Sequence, residues 1–536
     1  MPLAEPVPRG RHVLRLALAL ALPHALPAQQ PPAADSAPVI RRIDIRRETI
    51  FDSVETRNWF SRAANKLHYR TREAVVRREL LFHEGERYDT LRVFETIQNL
   101  RGMGIFRRVQ VDTARVDGGL VARVTTRDAW STRGDVRFRS TGDQVDYQLS
   151  FIEDNFLGNA TRAGVRYRRT PDRTLTSFQL RQRRLIDDRI GGEASYESRS
   201  DGHRAVAALL MPFYSVVSPF SFEVRAEALH ERILRFSSGE PVASDTLWRR
   251  YWITRADVAA ALQSSNAGYL RVGVTGLVRR DDYAASEQGP FGEDLVATAG
   301  PFLEWRRARF VTTTKFLGLG RDEESVDLST TLRAGVLVAA RALGYPRDGL
   351  GGHATIHTGV ELPRGFLLVD ASFNGLRTAA GLDSGSVFVA GTLALRPAAD
   401  HLVIIHAQGG AVESPRPGSE YSYGLTQGPR AFRAHAFTGD RAFLTTTEYR
   451  VVPPGTVGSL ANLGFAAFVD YGGAWYSGSP PRYGASLGVG LRFGVSRAAN
   501  LSPNRLDLAY RVANDRVAGG WVIAVGKGLL FSTTPR

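Results

Sequence analysis

Charged side chains stand at every second position of segments that are otherwise apolar, and they provide most of the chemistry that the sequence offers. In Phe222–Ala228 the charged positions are Glu223, Arg225 and Glu227, and Arg162–Arg168 follows a similar pattern. A period of two places the charges on one face of a β-strand and the apolar side chains on the opposite face. A face of this kind forms ion pairs and holds water.

Two structural settings accommodate such strands. In a soluble sandwich the apolar face packs on a second sheet and the charges face water. In a transmembrane barrel the apolar face contacts lipid, and the charged face lines a wet lumen. The rest of the sequence has to decide between these settings.

No catalytic constellation accompanies the charges. The chain has no cysteine, which excludes thiolate catalysis and cysteine–zinc sites. Gly381–Gly385 approaches a nucleophile elbow but has its serine one place late. Gly488–Gly494 lacks the spacing of a dinucleotide-binding loop and continues a strand pattern. The eleven histidines form no His-x-x-x-His pair on a helix with a supporting carboxylate. We therefore predict no enzyme activity, no cofactor and no metal.

Residues 1–28 have the features of a secretory signal peptide. Three arginines precede or enter the apolar run Leu16–Leu22. A small residue, Ala28, lies at the expected cleavage site. A disordered tail of a cytosolic protein is the alternative interpretation. Residues 29–37 read as a linker. No other stretch approaches the roughly 18–20 continuous apolar residues that a membrane helix needs. The chain is thus predicted to be exported as a soluble protein or to enter a membrane as strands.

The composition favours a barrel over a nucleic-acid-binding protein. The 536 residues allow two or more domains, and the net charge is +15. Nucleic-acid-binding proteins usually concentrate their basic residues in one patch, whereas here arginine is spread through strand after strand. A basic lumen and contacts with anionic lipids at the rim explain this distribution better. The 53 glycines fit many tight hairpins.

Residues 38–128 are predicted to form a small mixed domain with the order β-α-α-β-β. The predicted elements are the strand Val39–Ile45, a helix capped by Thr71 and ended by Gly85, a helix from Leu91 to Gly102, and a hairpin of Phe106–Val111 and Leu120–Val124. This order and the turn Leu100–Val109 resemble a polypeptide-transport-associated (POTRA) domain. The resemblance implies binding of client chains by strand addition at an exposed sheet edge. The insertion Ser53–Arg70 has no assigned role.

Residues 130–536 are predicted to form a transmembrane antiparallel β-barrel. Alternating segments recur about every 20–25 residues, which is the length of a membrane strand with its turn. Their number gives about 16 to 20 strands, and we adopt 16. Trp248 and Trp252 lie on one face, as in an aromatic girdle. The last run carries Trp521, Gly526 and Phe531 and resembles the C-terminal strand signal of outer-membrane barrels, although five residues follow Phe531.

A barrel fixes the direction in which the alternating side chains point. Glu223 and Arg225 should face the lumen together with Arg166, whereas Val224 and Val165 should face lipid, as should Phe222. An outward Arg225 with an inward Val224 would contradict the barrel.

Three motifs in order along the chain resemble those of the BamA/TamA outer-membrane assembly superfamily. They are a barrel-start motif made of Glu153, Asn155, Leu157 and Gly158, a loop tip at Gly428–Phe432, and a strand at Phe468–Gly473. Five strand-like segments follow the loop, which is the number in the family. The resemblance covers most of the chain after the signal segment.

The resemblance implies a loop that folds back into the lumen. Its arginine would be Arg430, next to Phe432, and the acidic partners on the inner wall would be Glu448 and Asp470. A guanidinium is permanently charged and can bind a carboxylate through two hydrogen bonds, so it suits this task. One departure concerns the tip, where Ala431 replaces the family's glycine.

The leading functional hypothesis is a barrel in the outer membrane of a diderm bacterium that assists insertion or translocation of other proteins, with its POTRA domain in the periplasm. The first strand, near Asp135–Ser140, and the last strand, near Trp521–Phe531, would meet at a weak seam that a client strand can join. Expected partners are outer-membrane lipids, unfolded clients and accessory periplasmic proteins, without nucleic acid.

Two other functions remain open. A two-partner-type secretion pore would export a dedicated protein through the lumen, but such pores typically carry two POTRA domains and a plug helix. A solute channel or structural barrel would have a repurposed POTRA domain. Fold analogy alone does not choose among the three.

Overall fold

A computed structural model of the chain describes residues 37–50, 65–66 and 68–527. It leaves short gaps at 117–118, 142–143, 187–188, 216–217, 238, 243–245, 266, 292–294, 317–318, 320–323, 426, 456–460, 496–502 and 515–516. The predicted signal peptide, most of the linker and Phe531 lie outside the described residues.

The N-terminal domain is a three-stranded sheet with two helices. Its elements are β1 (Ile40–Glu48), α1 (Glu73–Arg78), α2 (Thr90–Gly102), β2 (Phe106–Val116) and β3 (Gly119–Asp128). The central strand β3 runs parallel to β1 and antiparallel to β2. We call this unit the small domain. Its order is strand, helix, helix, strand, strand, and its assignment as a POTRA domain stays a prediction.

The starts of the two helices differ in how they are capped. The side chain of Asp89 caps α2 by accepting hydrogen bonds from the amides of Leu91 and Arg92. The predicted capping of α1 by Thr71 is wrong, because α1 begins after Arg72 without a side-chain cap. Both the amide and the hydroxyl of Thr71 donate instead to the carboxylate of Asp128, so its side chain is not available to the helix.

Apolar side chains from both helices and all three strands form the core of the small domain. Ile40, Val76, Phe82, Leu100 and Val124 are completely buried there. Burial of each large side chain stabilises the fold by about 1.5–3 kcal/mol. Among the residues that the structure describes, no helix is long and apolar enough to span a membrane.

The rest of the described chain is a closed antiparallel barrel of 20 strands. These strands are β4 (Thr132–Thr141), β5 (Gln144–Phe156), β6 (Thr161–Arg169), β7 (Thr174–Ile186), β8 (Ile190–Arg199), β9 (Gly202–Met211), β10 (Phe220–Ile233), β13 (Leu247–Ser265), β14 (Gly268–Ala284), β15 (Val296–Arg307), β18 (Thr330–Ala339), β19 (Gly349–Leu362), β20 (Gly365–Thr378), β21 (Gly381–Ala398), β22 (His401–Glu413), β25 (Arg441–Val451), β26 (Ala461–Trp475), β27 (Gly484–Val495), β28 (Asn504–Arg511) and β29 (Gly520–Lys527). Three two-stranded hairpins lie in the connections: β11 (Phe236–Ser237) with β12 (Glu240–Pro241), β16 (Phe310–Thr313) with β17 (Glu324–Asp327), and β23 (Tyr421–Tyr423) with β24 (Phe437–Gly439).

The predicted number of 16 strands is therefore wrong. Five strands, β25 to β29, follow the long connection after β22, as expected, so the additional strands lie before it. The error has a physical cause. A period of two marks a strand but not its end, and turns such as Pro363–Arg364 between β19 and β20 are only two residues long. Strand lengths from 8 to 19 residues also blur any count based on average length.

The alternating residues point as the barrel interpretation requires. Val165 and Val224 are about 40% exposed on the outer face (39% and 41%). Arg225 lies on the opposite face, where it forms ion pairs with Glu223 and with Glu193 of β8. The apolar face therefore meets the membrane, and the charged face lines the lumen.

Polar contacts attach the small domain to one end of the barrel, which we call the domain end. Arg184, near the end of β7, makes two hydrogen bonds to Glu79 at 3.0 and 2.8 Å. Ser215, in the connection from β9 to β10, donates to Glu95 at 2.7 Å. The opposite end, the distal end, holds the connection from β22 to β25. We call this connection, residues 414–440, the long loop.

Candidate functional site

The long loop enters the lumen and places Arg430 in a buried set of charges. The Nε of Arg430 lies 3.0 Å from Asp470 of β26, and its Nη1 lies 3.2 Å from Glu448 of β25. The backbone amide of Arg430 also donates to Asp470 at 3.1 Å. The structure thus brings together the three charged residues that the family resemblance had paired.

Four further charges belong to the same set. Arg492 of β27 bridges Glu448 and Asp507 with Nη distances of 2.7 and 2.6 Å. Arg450 makes two hydrogen bonds to Glu448, and Arg505 lies 3.7 Å from Asp507. We call the seven residues the ion cluster: Arg430, Glu448, Arg450, Asp470, Arg492, Arg505 and Asp507.

Sequence reasoning missed Arg450, Arg492, Arg505 and Asp507, although Asp507 has an available signal. All four occupy inward positions of the five strands that follow the long loop. Asp507 lies opposite Gly490, where an added Cβ would stand 2.1 Å from its carboxylate. A glycine facing a charge in a strand is therefore the sequence signal for a packed lumen site.

The ion cluster is almost completely removed from solvent, so its charges depend on one another. Asp470 is fully buried, and Arg430 is 4% exposed. Burial by itself would lower the pKa of Arg430, but the charges of Asp470, Asp507 and Glu448 outweigh burial and raise it. Arg430 therefore remains a cation. Removal of one partner from such a buried pair leaves an uncompensated charge, which is costly.

Apolar contacts hold the loop tip around Arg430. The guanidinium carbon lies 3.7 Å from the ring centre of Phe468. Phe432 is 1% exposed, and its ring packs against Phe437. Ala431 is buried against Phe468 and does not have a positive φ, so this position does not need the conformational freedom of glycine. The positive φ of the tip lies at Gly428, where it is +126°.

Segments at the distal end of the barrel also contact the long loop. His435 stacks on Phe236 of β11, with ring centres 3.8 Å apart, and its Nε2 lies 2.8 Å from Asp172 in the connection from β6 to β7. The amide of Ala434 donates to Gln144 at the start of β5. The long loop is therefore held at its tip by the ion cluster and at its sides by two other connections and the start of β5.

The barrel-start motif lies at the domain end and attaches the barrel to the small domain. Glu153 accepts hydrogen bonds from Thr132 and from the amide of Asn155. Asn155 donates to the hydroxyl of Thr71, which itself donates to Asp128.

The last two residues of the motif shape the turn that carries this contact. Leu157 and Gly158 have φ values of 56° and 75°. The carbonyl of Gly158 accepts from the amide of Arg72 at 2.9 Å. A Cβ on Gly158 would stand 2.6 Å from the carbonyl oxygen of Arg70, so only glycine fits.

The first and last barrel strands, β4 and β29, meet over a short length. Within the described residues they pair at two positions, Ser140 with Val525 and Thr141 with Ala524. The neighbouring strands β28 and β29 pair at eight positions. Among the described residues this is the shortest ladder between neighbouring strands of the barrel. An open strand edge accepts additional strands.

Two residues of the predicted C-terminal signal are in β29. Trp521 is 67% exposed on the outer face, as a membrane-facing aromatic residue should be. Gly526 faces Arg505, and an added Cβ would stand 2.6 Å from its Nε. Gly526 thus provides room for a residue of the ion cluster.

Comparisons with known proteins add a sequence relative. The chain is 25% identical over 138 residues to "Outer membrane protein assembly factor BamA" of Neorickettsia risticii (strain Illinois). The aligned part is 25% of this chain and spans 18% of the relative's length. This match confirms the predicted resemblance to the BamA/TamA superfamily. With the lipid-facing barrel, it identifies an outer-membrane protein of a Gram-negative bacterium. No protein-family model matches the chain.

Two solved structures illustrate the folds that are similar to this chain. BamA from Haemophilus ducreyi lacking POTRA domains 1–3 has a TM-score of 0.43 at 12% identity, covering 92% of this chain and 84% of that one. CdiB from Acinetobacter baumannii has a TM-score of 0.45 at 12% identity, covering 92% of this chain and 74% of that one.

Proposed function

We propose that this outer-membrane barrel assists the insertion or translocation of other proteins at the seam between β4 and β29. The single observation that carries the proposal is the short pairing of these two strands within the described residues. A client strand can pair with an edge that has free backbone groups, which gives affinity without a specific sequence. The small domain, in the periplasm, would receive the client first. The proposal contains no catalytic step and no cofactor.

The attachment of the small domain supports this order of events. Asn155 and Gly158 connect the small domain to the turn between β5 and β6, and β5 is the direct neighbour of β4. A client held on the small domain is therefore close to the seam. Holding two reacting partners together replaces a search in solution by a local encounter.

A disulfide across the seam tests the proposal directly. Ser140→Cys with Val525→Cys places two thiols on paired residues, and the chain has no other cysteine. We expect the oxidised variant to lose client insertion and a reductant to restore it. The matched control joins Leu508→Cys to Ile523→Cys between β28 and β29, where the ladder is complete. Equal activity of the oxidised and reduced seam variants would contradict the proposal.

Depletion of the protein followed by outer-membrane proteomics tests its role in the cell. We expect a set of other outer-membrane proteins to fall in abundance, and the seam variant should fail to restore them under oxidising conditions. Loss of a single exported protein would favour the secretion pore instead. An unchanged outer-membrane proteome would remove the support for either role.

A further inference from the structure

A second segment enters the lumen, from the domain end rather than the distal end. It is the connection between β15 and β18, which carries β16 and β17. We call its described residues 308–316, 319 and 324–329 the lumen hairpin. Phe316 and Leu328 are each 1% exposed. They pack on inward-facing residues of the wall, including Phe366 and Ile404, and the rings of Phe316 and Phe366 are 4.8 Å apart.

Polar contacts attach the lumen hairpin to the domain-end turns of the barrel. Nζ of Lys315 lies 2.7 Å from Asp400, in the turn between β21 and β22, and donates to the carbonyl of Val452 after β25. Nη1 of Arg396 donates to the hydroxyl of Thr314 at 2.9 Å. Lys315 has a φ of 61°, which is unfavourable for a residue with a side chain and persists only where contacts hold it.

One residue connects the lumen hairpin with the ion cluster. Arg450 donates through Nη1 to the carbonyl of Phe316 at 3.2 Å and through Nη2 to Glu448 at 2.9 Å. Glu448 also accepts from Arg430 of the long loop. A continuous series of hydrogen bonds thus runs from the domain-end segment to the distal loop.

The width of the barrel explains why chain segments are needed inside the lumen. Barrels of roughly 16–18 strands already leave an aqueous channel, and the diameter grows with strand number. Side chains alone do not fill a lumen of 20 strands, so closure requires chain segments inside it. The long loop closes the lumen from one end and the lumen hairpin from the other.

We propose that the lumen hairpin is a second closure of the barrel, and that Arg450 couples its position to that of the long loop. Release of one segment then loosens the other, because Arg450, which binds the lumen hairpin, and Arg430, on the long loop, both bind the side chain of Glu448. This regulation concerns the lumen and does not depend on the proposed role of the seam. Its tests use the purified protein without any client, so they succeed or fail separately from the depletion experiment.

Ion conductance in planar bilayers tests the closure. Lys315→Ala and Phe316→Ala each remove a contact of the lumen hairpin, and we expect a several-fold rise in conductance or in open events. The matched control is Arg309→Ala, since Arg309 lies on the same segment but pairs with Glu361 at an exposed position (54% and 50%). Migration of unheated and heated samples on gels verifies that each variant is folded. Folded variants that conduct no more than wild type would overturn the closure.

Crosslinking the lumen hairpin to the wall of the barrel tests the closure in the opposite direction. Lys315→Cys and Asp400→Cys replace an existing ion pair with two thiols, which a short bismaleimide can join. The unjoined variant should conduct more than wild type, and crosslinking should return it to the low value. Conductance that stays high after complete crosslinking would overturn the closure, because another route would then carry the ions.

Thiol accessibility tests the coupling. A membrane-impermeant maleimide reports on Val326→Cys, a nearly volume-conserving change at a residue of the lumen hairpin that is buried when the hairpin is seated. We expect Arg450→Met to increase the labelling rate several-fold. Arg430→Ala should increase it as well, because Arg430 and Arg450 both bind Glu448. Arg433→Ala, on the long loop, should leave the rate unchanged. An unchanged rate in the Arg430→Ala background would overturn the coupling while leaving the closure intact.

Discussion

Arg430 attaches the tip of the long loop to the wall of the barrel. It makes hydrogen bonds to three carboxylates, on β25, β26 and β28. A planar guanidinium can satisfy several acceptors at once, whereas the ammonium of lysine is a single point of charge. The ion cluster is therefore an arginine site by geometry and not only by charge.

Arg430→Ala should destabilise the folded barrel by about 3–5 kcal/mol, because three buried carboxylates lose a partner. Urea unfolding in detergent, followed by gel mobility, measures this change. Arg430→Lys should recover part of the loss. Arg433→Ala is the control on the same loop, since its ion pair with Glu240 is exposed (41% and 68%) and should change stability by less than about 1 kcal/mol. Equal effects of the two alanine variants would contradict the assigned role of Arg430.

Gly158 lies against the backbone of Arg70, where there is no room for a Cβ. Gly158→Ala should loosen the attachment of the small domain, because an added Cβ would meet the carbonyl of Arg70. Amide hydrogen exchange at Thr71 and Ala160 should become faster, since both amides bond at this junction. Gly104→Ala is the control: Gly104 has nearly the same φ, +71°, but nothing lies within 4 Å of its added Cβ. If exchange is equally fast in both variants, then backbone strain, and not the contact with the carbonyl of Arg70, causes the faster exchange.

The seam is the weakest element pairing of the barrel within the described residues. Two paired positions join β29 to β4, whereas β13 and β14 pair over nearly their full lengths. Local openings expose amides in proportion to the contacts that hold them, so strands open in the order of their stability.

We predict that amide hydrogens of Thr132–Thr141 and Gly520–Lys527 exchange first among the barrel strands. Those of β13 and β14 should exchange last. Hydrogen exchange with mass spectrometry in detergent or nanodiscs measures this order. The disulfide between Ser140→Cys and Val525→Cys should slow exchange in both seam strands. Uniform protection of all 20 strands would contradict a weak seam.

The parts of the molecule that sequence could predict are those with local signals. Period two identified strands and their faces, and ordered motifs brought Arg430, Glu448 and Asp470 together. The strand number failed because nothing local marks a two-residue turn in a long alternating stretch. Arg450 and Arg492 resemble every other inward charge, since their partners are defined only when distant strands close into a barrel. The lumen hairpin was missed for the same reason, as β16 and β17 are too short to stand out.

The whole molecule should pass little solute although its barrel is wide. The long loop and the lumen hairpin occupy the lumen from opposite ends, and the ion cluster lies between them. We predict that liposomes containing the protein do not swell in sugars that pass through general porins. A porin assayed in parallel is the positive control. Rapid swelling with the wild-type protein would favour the solute-channel function over client insertion.

The number of barrel strands has a consequence for how such a protein can change in size. A closed antiparallel barrel whose first and last strands meet must contain an even number of strands, so its girth changes by whole hairpins. The four strands beyond the predicted 16 amount to two hairpins, and all lie before the long loop. The five strands that carry the ion cluster and one side of the seam are unchanged in number. Additional hairpins therefore widen the wall in evolution without changing the geometry of the ion cluster.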